Sequence, residues 1–78
     1  MMNNKQLIDI LKALYGDFDY TDSKTALTLY IGEGVEVKVF NNGANMFRVL
    51  KGTDYIVGDF EDEKDLARKI VMIIGGGS

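Results

Sequence analysis

Carboxylates are the only abundant groups in this chain with chemistry to offer. Twelve of its 78 residues are Asp or Glu and nine are Lys or Arg, with no Cys and no His. Thiolate chemistry is therefore excluded, as are the commonest general base and the commonest metal ligand. What the carboxylates can do depends on their spacing. Asp17 and Asp19 stand as the first two ligands of an EF-hand loop would. The sixth position is Asp22 in place of glycine and the twelfth is Thr28 in place of glutamate, so the sharp turn and the bidentate ligand are both missing. These residues read as a solvated turn, and no metal site is expected. A second cluster comprises Asp59, Glu61, Asp62, Glu63 and Asp65. At a helix N-terminus such charges stabilise the dipole by about 0.3–1 kcal/mol each. As a surface patch they would imitate phosphates for a basic partner. Asp62 is the expected helix cap, and Asp59, Glu61, Glu63 and Asp65 are the candidate partner-binding residues.

Other catalytic constellations are missing. Ser23 and Ser78 sit in no nucleophile motif, and Gly32, Gly34 and Gly43 do not form the Gly-x-Gly-x-x-Gly or P-loop pattern that cradles phosphate. A chain this short leaves little room for an enclosed pocket. No enzyme activity and no cofactor are expected. The net charge of −3 and the pI of about 4.7 argue against direct binding of a nucleic-acid backbone. No apolar run approaches the about 18 residues of a membrane span, and no signal-peptide pattern opens the chain. A cytoplasmic location is expected.

The elements that position these residues follow from periodicity. Residues 3–15 read as a helix, with Asn3 as N-cap, Gln6 completing a capping box, and Leu7, Leu11 and Leu14 recurring at helical spacing. Ile8, Ile10 and Tyr15 widen the stripe, and Gly16 ends it. Residues 17–24 read as a polar loop. Residues 25–31 and 35–40 alternate as strands, with Leu27, Leu29, Ile31, Val35, Val37 and Val39 on one face. Residues 44–51 make a third strand with Phe47 and Val49 inward. Residues 55–60 suggest a fourth, whose inward set is either Tyr55 and Val57 or Ile56 and Phe60. Residues 62–74 form a second helix, burying Leu66, Ala67, Ile70, Ile73 and Ile74.

Loop lengths set the expected register. A three-residue Gly32-Glu33-Gly34 loop pairs Leu29 with Val37 and Leu27 with Val39. A three-residue Asn41-Asn42-Gly43 loop would pair Val37 with Phe47 and Val35 with Val49, and would set Glu36 opposite Arg48. The expected architecture is a two-layer α+β sandwich, with a three- or four-stranded antiparallel meander carrying both helices on one face. Residues 1–74 would form this one domain, and residues 75–78 a glycine-rich flexible tail.

The other sheet face is the second candidate site. Tyr30, Phe40, Met46 and Leu50 share it with Glu36, Lys38 and Arg48. Four large apolar groups on an uncovered face suit a contact surface. Tyr30, Glu36, Phe40, Met46, Arg48 and Leu50 are therefore candidate partner-binding residues.

The order helix, three strands, helix is similar to that of the double-stranded RNA-binding domain. That family grips phosphates with a basic Lys-Lys-x-Ala-Lys cluster opening its last helix. The matching stretch here is Asp62-Glu63-Lys64-Asp65-Leu66-Ala67, which inverts the charge, so RNA binding does not carry over. Met2-Asn3, Leu7-Ile8 and Val39-Phe40-Asn41-Asn42-Gly43 resemble small phage-encoded anti-CRISPR proteins, which are acidic, cysteine-free and built from a helix, three strands and more helix. The chain departs from that type in being only mildly acidic and in having no further helix after residue 74. The resemblance implies a phage-type inhibitor of a host nucleic-acid-handling complex. The expected function is thus a small intracellular protein-binding module whose partner has a basic surface. The alternative is a homo-oligomeric structural subunit, a homodimer being the simplest case.

Overall fold

The computed structural model describes residues 3–32 and 34–75. Helix α1 spans Asn4–Tyr15. Its entry is fixed as the sequence implies: Asn3 Oδ1 accepts the Gln6 N–H at 3.1 Å, satisfying one orphan donor of the first turn. Gly16 closes it at φ 77°, where its N–H reaches the Lys12 carbonyl at 2.9 Å. Leu7, Ile8 and Leu11 are buried. The last turn presents Tyr15 to the core instead of Leu14, which is 58% exposed, so the expected stripe is corrected at that residue.

Five strands follow: β1 Asp19–Asp22, β2 Ala26–Tyr30, β3 Val35–Phe40, β4 Met46–Lys51 and β5 Asp54–Asp59. They form one antiparallel sheet in sequence order. β1 corrects the polar loop expected over residues 17–24, and the sheet has five strands where three or four were expected. All four β1 residues are exposed, so no apolar alternation marks this strand. It is held by its ladder to β2, running from Asp19↔Tyr30 to Asp22↔Leu27. The Lys12 ammonium lies 5.8 Å from the Phe18 ring centroid and 5.7 Å from that of Tyr20, which adds cation–π contact between this segment and α1.

The first hairpin has the expected register, Leu27↔Val39 and Leu29↔Val37. Glu33, in the middle of its loop, lies outside the described residues. The second hairpin is shifted by two residues from expectation. Val37 pairs with Val49 and Val39 with Phe47, while Val35 meets Lys51. The physical reason is a longer loop, residues 41–45. Gly43 takes φ 82° and Asn45 takes φ 47°, and the Ala44 N–H donates to Asn42 Oδ1 at 3.0 Å. Two residues with positive φ replace the one that a three-residue loop needs. A shift of two preserves which face each side chain occupies, so the inward set survives.

β5 settles its own parity through β4: Val49↔Ile56 and Phe47↔Gly58 on the inner side, Leu50↔Tyr55 and Arg48↔Val57 on the other. Phe60 follows the strand and is buried, its ring centroid 6.4 Å from that of Phe47.

Helix α2 spans Glu63–Gly75. Asp62 Oδ1 accepts the Asp65 N–H at 2.8 Å, and Asp65 Oδ2 accepts the Glu61 N–H at 2.9 Å, a reciprocal cap. Gly75, expected to open the tail, is the last helical residue, and residues 76–78 lie outside the described residues. One buried cluster joins Leu7, Ile8 and Leu11 of α1, Leu66, Ala67 and Ile70 of α2, and inward residues of β2, β3 and β4. The chain is thus a small α+β domain. None of its described helices is long and apolar enough to cross a membrane.

Candidate functional site

The acidic run is largely engaged within the molecule. Lys69, nearly two turns into α2, stands 3.3 Å from Asp65 Oδ2 and 3.8 Å from Asp59 Oδ1, and donates to the Asp59 carbonyl oxygen at 2.7 Å. Arg68 adds a 3.4 Å contact to Asp65 Oδ1. The Asp65 carboxyl is held below the usual carboxylate range, chiefly by the Glu61 backbone N–H and further by Lys69, against a smaller opposing effect of burial. Its side chain keeps only 16% of its accessible surface. Asp62 serves as the cap. Among the described residues, Glu61 and Glu63 enter no ion pair. The run was read as one patch; the structure divides it into carboxylates that build the helix entry and two that do not.

The sheet face bearing Arg48 brings its expected residues together and adds two. Tyr30 sits opposite Glu36, and Glu36 sits opposite Leu50. The expected Glu36–Arg48 pair is corrected by the two-residue shift: Arg48 lies opposite Lys38 on one side and Val57 on the other. Two cations are therefore direct cross-strand neighbours, an arrangement that costs stability. Among the described residues, Glu36, Lys38 and Arg48 join no ion pair.

Arg48 is held by aromatic groups. Its guanidinium carbon lies 5.8 Å from the Phe40 ring centroid and 5.2 Å from that of Tyr55. Its Nη1 also donates to the Tyr55 hydroxyl at 3.0 Å. The planar cation is thus fixed by two rings, each contact being worth about 0.5–1 kcal/mol at an exposed site. Around it Tyr30, Met46, Leu50, Tyr55 and Val57 are all exposed. The sequence left the parity of residues 55–60 open, so Tyr55 and Val57 were not among the expected site residues. The signal that could have found them is a two-residue Gly52-Thr53 turn, which pairs Lys51 with Asp54 and so sets Tyr55 opposite Leu50 and Val57 opposite Arg48 on this face.

No group of three or more carboxylates with metal-holding geometry occurs among the described residues. Asp19 and Asp22, the centre of the calcium motif weighed above, are instead the two ends of β1. No protein family, no curated protein and no solved structure matches the chain.

Proposed function

We propose that the chain is a small protein-binding module, and that its contact surface is the sheet face built around Arg48. The observation that carries this reading is Arg48, set between Phe40 and Tyr55 and hydrogen-bonded to the Tyr55 hydroxyl, within a field of exposed apolar side chains. Arg, Tyr, Phe and Met are the residue types enriched in interface cores, and an ordered Arg loses less entropy on docking. Both helices then lie on the opposite face in a two-layer sandwich. The buried cluster shared by α1, α2 and the inward strand residues supports this arrangement. On this reading Tyr30, Glu36, Phe40, Met46, Arg48 and Leu50 contact the partner, joined by Tyr55 and Val57. The resemblance to anti-CRISPR proteins would make that partner a component of a host nucleic-acid-handling complex, and the chain its inhibitor rather than an enzyme.

The test is affinity capture from the source cells with the wild-type chain and with two kinds of variant. Leu50→Arg and Arg48→Glu alter the proposed face. Glu61→Lys with Glu63→Lys reverses the free carboxylates at the α2 entry. Loss of the captured protein with the first pair, and retention with the second, is the expected result. The reverse pattern would move the site to the acidic patch.

A further inference from the structure

The sheet has two edges, and they are built differently. β1 ends in Asp19 and Asp22, charges that discourage pairing with another strand. β5 carries Tyr55, Ile56 and Val57 at its centre, exposed by 58%, 39% and 51%. Its free backbone groups can be assigned. The Phe60 N–H donates to the Asn45 carbonyl at 3.1 Å, in register with Met46↔Asp59. In an antiparallel ladder, pairs that exchange hydrogen bonds alternate with pairs that do not. Asp54, Ile56 and Gly58 therefore turn their N–H and C=O toward β4, and Tyr55, Val57 and Asp59 turn theirs outward. The outward Asp59 carbonyl is taken by Lys69. The open edge reduces to Tyr55 and Val57, each with one donor and one acceptor, and the lone N–H of Asp59.

We propose that this edge pairs with the same edge of a second copy of the chain, antiparallel and centred on Ile56. A two-fold axis through an antiparallel pair must set one residue against its own counterpart. Centring on Val57 would set Asp59 against Tyr55 and require the carbonyl that Lys69 holds. Centring on Ile56 uses Tyr55 and Val57 alone, each exchanging both its bonds with the other residue in the second copy. The side chains agree with this choice. Tyr55 meets Val57 on the Arg48 face, and Ile56 meets Ile56 on the inner side.

Charge complementarity favours a second copy over an unrelated strand. In this register Asp54 falls opposite Gly58. Beside Gly58 lies an open cavity of about 260 Å³, lined also by Phe47, Asp59, Lys69, Met72 and Ile73. The Asp54 carboxylate of each copy is thus directed at the Lys69 ammonium of the other, and Asp59 falls opposite Thr53, so no acid directly opposes another acid across the junction. Met72, 66% exposed beside the same cavity, gains cover. This inference goes beyond the proposed contact face: the pairing would join two such faces into one continuous surface.

The experiment is sedimentation of the full chain from about 5 to about 500 μM, a range in which mass action resolves a weak dimer. It is combined with single-cysteine variants, which the cysteine-free sequence makes unambiguous. Ile56 would face its counterpart in a non-hydrogen-bonded pair, with Cα atoms about 4.5 Å apart, within disulfide range. Concentration-dependent dimer, oxidation of Ile56→Cys to a covalent dimer, and at least a tenfold weaker association of Val57→Pro are expected. The proline removes an N–H that β4 does not use, so circular dichroism of this variant should match wild type. If the proline variant fails to fold, Val57→Lys, which leaves the backbone intact, replaces it with the same expectation. A monomer at every concentration, a dimer indifferent to the substitution at Val57, or cross-linking through Val57→Cys in place of Ile56→Cys would each overturn the proposal. Tyr30→Arg, which alters the contact face on β2 and away from β5, should leave the β5 association in place.

Discussion

Lys51 of β4 caps helix α2: its Nζ donates to the Ile74 carbonyl at 2.9 Å and contacts that of Ile73 at 3.4 Å. The last turn of α2 contains no basic residue of its own, so a strand supplies the cation that the negative end of the helix dipole favours. Lys51→Met keeps the aliphatic stem and removes the ammonium. We expect a loss of about 1–2 kcal/mol, the worth of a charged hydrogen bond at a helix C-terminus. Urea unfolding should show a lower midpoint with an unchanged slope, since the exposed area on unfolding stays the same.

Lys51 also marks how far the sequence could be read. The face of every interior strand residue was legible, because period 2 depends only on parity: Leu27, Leu29, Val37, Val39, Phe47 and Val49 are all buried as expected. The partner of each β4 residue was not, because it depends on loop length, and the positive φ of Asn45 leaves little signature in a side chain that only tolerates that region. The two-residue shift moved Arg48 from Glu36 to Lys38 and so changed the electrostatics of the candidate site without moving it. β1 was illegible for a different reason. Its residues bury nothing, and backbone pairing to β2 leaves no pattern in side-chain types.

The loop that sets this register provides a second prediction. Gly43 at φ 82° and Asn45 at φ 47° are both left-handed. Gly43→Ala should cost about 1–2 kcal/mol, because a Cβ is strained there whatever the surrounding space. Asn45→Gly removes one such strain and adds unfolded-state entropy, so it should stay within about 0.5 kcal/mol of wild type. Thermal melts of the two variants compare the positions directly; equal losses would mean that Asn45 is held by more than its backbone conformation.

Gly58 is required by packing. A Cβ built there lies 3.0 Å from Phe47 Cε1 and 3.1 Å from Cζ, and Phe47 is buried on the inner face. Gly58→Ala should destabilise by about 1–3 kcal/mol, the cost of overpacking. Phe47→Leu alone is costly as well, since it empties part of the core. Combined, the two should cost less than the sum of the singles, because the smaller side chain makes room for the methyl group. A double-mutant cycle in urea measures that coupling, and strict additivity would show that the ring and the glycine do not compete for space.

The acid limb of stability should report Asp65. Its carboxyl titrates below the ordinary value in the folded chain, because the Glu61 N–H, Lys69 and Arg68 all favour the charged form. In the unfolded chain it titrates near about 3.9. The unfolded state therefore takes up the proton first as pH falls. The stabilisation is full above the unfolded value and is lost as pH drops through the lowered folded one. Asp65→Asn should be less stable than wild type at neutral pH, and the gap should close below about pH 4 as the wild-type carboxylate is neutralised. Urea midpoints for both chains at neutral pH and at successively lower values would trace the closing gap. A gap that stayed constant with pH would assign the difference to the shape of the cap and not to the charge of Asp65.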